Sequence, residues 1–152
     1  MTLEIREATV EEILPLRKAV LRPMEPVAPS PYDGAANVHH FAAFDDGVAV
    51  GCATVFPSEY DGLPVGSAAI ESAWQLRGMA VEPGRQGSGV GRLVLEPAID
   101  LVRAAGAPAL WANARTTALP FYQAMGFEIV SEEFSYGPSE LPHRRILLRL
   151  QP

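Results

Sequence analysis

Apolar positions along this chain alternate between the two-residue period of strands and the longer period of helices. Leu3-Glu4-Ile5-Arg6 alternates and predicts a first strand. Thr9 followed by Glu12 has capping-box spacing, and Ile13, Leu14, Leu16, Arg17 and Val20 predict a helix behind it. Pro15 belongs to the first turns of that helix or marks a slightly later start. Pro23, Pro26, Pro29 and Pro31 break up the segment to Gly34 and predict a surface loop. His40 to Phe44 and Val48 to Phe56 predict two strands joined at Asp45-Asp46-Gly47. Pro57 to Ala73 reads as a second long loop, and Trp74 to Val81 as a central strand.

The second half continues the alternation. Val90 to Ala105 predicts a helix that Gly106 ends and Pro97 should kink. Ala109 to Ala112 predicts a short strand. Thr116 or Thr117 should cap a helix from about Ala118 to Met125, with Pro120 in its first turns and Gly126 at its end. Glu128 to Ser135 and Arg144 to Leu150 predict the last strands, joined by the polar turn Gly137-Pro138-Ser139. The order β-α-β-β-β-α-β-α-β-β, without repeat or linker, predicts a mixed sheet with helices on its faces.

Composition narrows the setting. At 152 residues the chain is expected to form one domain, residues 1–152. Its 48% apolar and 20% charged residues are ordinary for a globular protein. No apolar run approaches the roughly 20 residues of a membrane span, and the first dozen residues lack the pattern of a signal peptide. The single cysteine, Cys52, fits a small core residue in a reducing cytoplasm. A net charge of −6 argues against nucleic acid as a partner and favours an amine substrate. Adjacent His39 and His40 point to opposite faces of one strand, which argues against shared metal ligation, and no metal is expected.

The chemistry concentrates in Arg85-Gln86-Gly87-Ser88-Gly89-Val90-Gly91, between the central strand and the following helix. Alternate glycines let the backbone turn tightly and bring bare amides to a ligand. The helix start adds free first-turn amides and the positive end of its dipole. Together they predict a phosphate or pyrophosphate site, with Arg77, Arg85 and Arg92 concentrating positive charge around it. The spacing departs from a dinucleotide fingerprint, because Arg92 stands where the third glycine belongs and no acidic residue ends the next strand. A P-loop would need Gly-Lys-Ser/Thr, which is absent.

A second run, NARTTALPFYQAMGF from Asn113 to Phe127, follows the next strand. With GMAVEPGRQGSGVGRLVL it resembles the GNAT-type N-acyltransferase family. Gln86, Gly89 and Gly91 match that family's Arg/Gln-x-x-Gly-x-Gly/Ala acyl-CoA loop. Ala118, Tyr122, Gly126 and Phe127 match its tyrosine helix. The resemblance is specific over about residues 74 to 134, and its acceptor-binding segments vary. It implies an α/β (α+β) fold with a mixed, mostly antiparallel sheet of about six or seven strands and about four helices. It implies acetyl-CoA as donor, and a small-molecule amine or peptide N-terminus as acceptor. Dimers are common among such relatives, so a homodimer is one expectation.

The resemblance also assigns roles. Amides of Arg85, Gln86, Gly87, Ser88, Gly89, Val90, Gly91 and Arg92 would hold the pyrophosphate. For the Arg85 and Arg92 side chains, a phosphate contact and an ordinary solvated charge both stay open. Backbone groups of Met79, Ala80 and Val81 would pair with the pantetheine arm, and one N–H could face the developing oxyanion. Tyr122, a phenol with pKa near ~10, would protonate a thiolate leaving group of pKa ~8.5. Many members carry an asparagine seven residues before the tyrosine. Here that residue is Arg115, with Asn113 two positions earlier as the candidate replacement. The strand glutamate that often orders a water near the amine falls near Gln75, which cannot act as a base. Glu71 is the nearest upstream carboxylate. His143 would be a base or a substrate contact, or else an exposed turn residue. Two other readings stay in view: a non-catalytic acyl-CoA-binding or sensing module, and a glycine loop that binds nothing.

Overall fold

The computed structural model describes residues 2–62, 68–137 and 140–150. Residues 63–67 of the predicted second loop, and Pro138 and Ser139 of the predicted last turn, lie outside them. Among the described residues there are eight strands, three α-helices and three 3-10 turns. In chain order these are β1 (Glu4–Ala8), α1 (Val10–Leu21), β2 (His39–Asp45), β3 (Val48–Pro57), β4 (Trp74–Val81), α2 (Val90–Ala104), β5 (Ala109–Arg115), α3 (Leu119–Ala124), β6 (Glu128–Ile129), β7 (Phe134–Tyr136) and β8 (Leu141–Arg149). The sheet runs β1-β2-β3-β4-β5-β8-β6, with β7 also paired to β8. Only β4–β5 is parallel among the pairs whose register is resolved. This is the mixed, mostly antiparallel α/β fold expected, with one strand more and one α-helix fewer.

Contacts divide the chain into two compact units, Met1–Phe56 with Leu76–Leu101, and Pro57–Gln75 with Val102–Pro152. In the first, Thr9 and Glu12 form the predicted capping box. The Glu12 amide donates to Thr9 Oγ1 at 3.3 Å, and the Thr9 amide to Glu12 Oε1 at 2.9 Å. Its core packs Ile13 and Leu16 of α1 against Ala42, Phe44, Cys52 and Ala80. Asp46 (φ 51°) and Gly47 (φ 78°) are both left-handed, as a two-residue hairpin turn requires. α2 continues through Pro97 and buries Val90, Val94, Leu95, Ala98 and Ile99. A side chain on Gly51 of β3 would meet Val90 Cγ1 at 2.5 Å, so this glycine admits the first turn of α2 against the strand.

Arg6 bonds the Glu12 carboxylate at 2.7 Å and, with the Thr9 amide, holds its pKa down at about 2. A folded pKa below the unfolded value stabilises the protein at higher pH and loses that effect as pH falls. Glu12→Gln should therefore melt below wild type at about pH 6, with the gap closing between about pH 4.5 and 2. A gap independent of pH in thermal melts would contradict this account.

The second unit is cored by Tyr60, Ala73, Ala109, Trp111 and Leu147. β5 pairs with β8 from Ala109↔Arg149 to Arg115↔His143, longer than the predicted strand. The predicted strand Glu128–Ser135 is broken into β6 and β7. Between Ile129↔Ile146 and Phe134↔His143, five steps of one chain segment face three of β8. The surplus loops out, and Ser131 Oγ accepts the Arg145 amide at 2.7 Å in place of a ladder partner. Neither Thr116 nor Thr117 caps α3. Both lie in a 3-10 turn, and Ala118 is the N-cap without a side-chain bond.

Candidate active site

In the first unit, the stretch from β4 to α2 turns tightly into the start of the helix. Arg85 closes a 3-10 turn over Pro83–Arg85, and the Ser88 amide returns to the Arg85 carbonyl at 3.1 Å. Gly87 (φ 81°) and Gly89 (φ 94°) take left-handed conformations that other residues resist. A Cβ on either would meet nothing within 4 Å, so the loop leaves room for a ligand at both positions. The Leu93 amide donates to Gly89 O at 3.1 Å, and the amides of Val90, Gly91 and Arg92 stand ahead of that bond. Gln86 Nε2 donates to Val81 O at 3.2 Å and ties the loop back to β4.

The arginines around the loop behave differently from the predicted positive concentration. Arg85 Nε bonds Glu82 at 2.9 Å, and its NH2 bonds Asp45 in a short contact. Arg92 pairs with Glu96 at 3.0 Å on the exposed helix face. Arg77 lies over the Tyr32 ring, 4.7 Å from its centroid. Arg85 and Arg92 are thus each paired with carboxylates.

The same unit holds a buried polar cluster that the sequence reading missed. Arg17 is 5% exposed, and its NH1 donates to both Asp33 oxygens at 3.0 and 2.8 Å. Its NH2 donates to Thr54 Oγ1 at 2.5 Å, and the Thr54 hydroxyl in turn meets His40 Nδ1 at 2.8 Å. Burial, helped by Arg17, lowers the His40 pKa and favours the neutral ring that accepts this bond. His39 faces the other way, toward Glu7 and Asn37. The available signal was Arg17 itself, a charge on the apolar stripe of α1 that burial obliges to find a partner. Cys52 is a core residue as expected, and burial pushes its thiol up to about 11.

In the second unit, Tyr122 of α3 is buried, with Phe121 and Phe127 set edge-on at 5.1 and 5.6 Å. Burial holds its phenol well above the ordinary pKa. Gly126 (φ 101°) ends the helix, and the Phe127 amide closes on Tyr122 O at 3.1 Å. His143 lies within β8, buried, rather than before the strand or in an exposed turn. Its Nδ1 meets Leu141 O at 2.6 Å, so that nitrogen is the donor and Nε2 holds the lone pair. The Phe134 and Tyr136 rings flank it at 6.3 and 5.2 Å. Asn113 Oδ1 accepts from Arg145 Nε at 3.1 Å, and that guanidinium also bonds Asp61 at 2.7 Å and lies over Trp111. Glu71 is exposed in a turn, and Gln75 is buried in β4.

Among the described residues, no group of three His, Cys, Asp or Glu side chains could hold a metal, and no helix is long and apolar enough to cross a membrane. The profile of the acetyltransferase (GNAT) family matches residues 7–127. The chain belongs to that family. It is 29% identical over 134 residues to the uncharacterized N-acetyltransferase YitI of Bacillus subtilis, covering 87% of each chain. ElaA of Escherichia coli shares the fold at 17% identity with a TM-score of 0.75, covering 97% of this chain and 100% of that one. The yncA protein of Salmonella typhimurium, solved with its cofactor acetyl-CoA, aligns at 19% identity and TM-score 0.75 over 100% of this chain and 96% of that one.

Proposed function

We propose that this protein transfers an acetyl group from acetyl-CoA to a primary amine by direct attack of the amine on the thioester. The observation that carries the reading is the glycine loop, with two left-handed glycines opening onto a helix start in a GNAT-family chain. Amides from Gln86 to Arg92 bind the pyrophosphate, and the Met79–Val81 backbone takes up the pantetheine arm as an added strand. An N–H of that segment faces the developing oxyanion, a contribution typically worth about 3 kcal/mol. Tyr122, protonated at neutral pH as phenols are, donates to the departing thiolate.

For the base that readies the amine, His143 suits the role better than Glu71. Its Nε2 lone pair is oriented by the bond at Nδ1, whereas Glu71 sits in an exposed turn. The acceptor is a small-molecule amine or a peptide N-terminus. A homodimer working in the cytoplasm belongs to the same proposal.

A thiol-release assay with acetyl-CoA across small amines, amino acids, polyamines and peptide N-termini tests it. Release that depends on one amine class is the expected result. Acetyl-CoA binding without release from any of them would favour a non-catalytic sensing module. No thermal shift at saturating acetyl-CoA would sink the acyl-CoA reading, since a ligand of the folded state must stabilise it.

A further inference from the structure

β4 is strand throughout, yet Gly78 in its middle has φ 62°. A left-handed glycine inside a strand kinks it and re-aims the residues that follow. Those residues are Met79, Ala80 and Val81. Two side chains press on the kink. A Cβ on Gly78 would lie 2.7 Å from the Tyr32 hydroxyl oxygen and 2.9 Å from Arg17 Nε. Neither is a loose end that can withdraw. Arg17 is anchored by Asp33 and Thr54. The Tyr32 ring stacks on Phe56 at 5.7 Å and 9°, beneath the guanidinium carbons of Arg17 at 5.0 Å and Arg77 at 4.7 Å. Arg17 Nε is buried without a hydrogen-bond partner among the described residues. A buried donor left unpaired is costly, and its persistence calls for a reason.

We infer that Arg17 and Tyr32 are positioning residues that hold the kink at Gly78 and so set the direction of the Met79–Val81 backbone groups. The inference rests on the acyl-CoA reading, which assigns those groups to the pantetheine arm. Arg17 cannot serve the ligand directly, because its NH1 and NH2 are taken up by Asp33 and Thr54 and its Nε is packed on Gly78. Its effect passes through the strand. Asp33 carries the linkage further, since its carboxylate also accepts the Ser30 amide at 2.7 Å and so ties the proline-rich segment to the donor-binding edge.

Two variants test this. Tyr32→Phe keeps the ring and its stacking and removes only the hydroxyl. Arg17→Met combined with Asp33→Asn removes both charges together, so that neither is stranded in the interior. Each is measured for melting temperature, acetyl-CoA dissociation constant by calorimetry, and hydrogen exchange of peptides covering 76–82 and β1. The expected result is folded protein in which exchange over 76–82 quickens while β1 keeps its protection. Acetyl-CoA binding should weaken about threefold in Tyr32→Phe and about tenfold in the double variant, with the amine KM within about twofold of wild type. If the double variant does not fold, Tyr32→Phe decides alone. Acetyl-CoA affinity within about twofold of wild type in folded Tyr32→Phe overturns the inference, whatever exchange does. Wild-type protein that fails to bind acetyl-CoA overturns the acyl-CoA reading instead, and unchanged exchange over 76–82 then separately overturns the clamp.

Discussion

Tyr122→Phe should lower kcat by about a hundredfold or more while acetyl-CoA affinity stays within about twofold of wild type. The asymmetry follows from where the hydroxyl would act on the proposed mechanism. In the ground state the ring packs between Phe121 and Phe127, and phenylalanine fills the same space. Only when the carbon–sulfur bond breaks does a thiolate need a proton, so the missing hydroxyl is felt in the transition state. The phenol is protonated at neutral pH and holds that proton until then. Single-turnover thiol release and acetyl-CoA titration, run on the same preparations, separate the two effects. Unchanged turnover would remove Tyr122 from the reaction. A parallel loss of affinity would make it a packing residue.

Arg17→Met should destabilise the protein by about 3–5 kcal/mol, because it strands the Asp33 carboxylate without its partner. The Arg17 and Asp33 side chains are 7% and 4% exposed, so solvent offers the orphaned charge little relief. Adding Asp33→Asn should recover most of the loss, since a neutral amide needs no counter-charge. Denaturant unfolding of the two single variants and the double variant closes the cycle. A loss below about 1 kcal/mol for Arg17→Met would class the pair with exposed ion pairs, which contribute little. A lower melting temperature, by roughly 10 °C, should accompany the single change.

The periodic parts of the fold were legible in the sequence. The Thr9–Glu12 box, the Asp46-Gly47 turn and β4 from Trp74 to Val81 lie where the pattern placed them. Each rests on local rules of spacing or backbone conformation. The break of Glu128–Ser135 into β6 and β7 was not legible, since the surplus against β8 depends on a partner strand distant in sequence. The cap on α3 failed for a related reason: the chain enters the helix through a 3-10 turn, which leaves Thr116 and Thr117 out of position.

At the candidate site the division is similar. Glycine spacing and Tyr122 could be read directly, because the family pattern is contiguous along the chain. The Arg17, Asp33, His40 and Thr54 cluster joins four separate elements, and only the fold brings them together. His143 was located one element away from where it lies. β8 begins at Leu141, three residues before the strand start predicted at Arg144.

Arg85 gives the loop a property that composition would not suggest. Its guanidinium is committed to Asp45 and Glu82, and so braces the turn from within. If the loop binds a pyrophosphate, the groups that meet it are mainly peptide N–H bonds, which do not titrate near neutrality. On the acyl-CoA reading, donor capture thus becomes insensitive to the protonation changes that the acceptor amine must undergo. The enzyme can then hold its donor across a pH range in which the amine passes from inert ammonium to nucleophile.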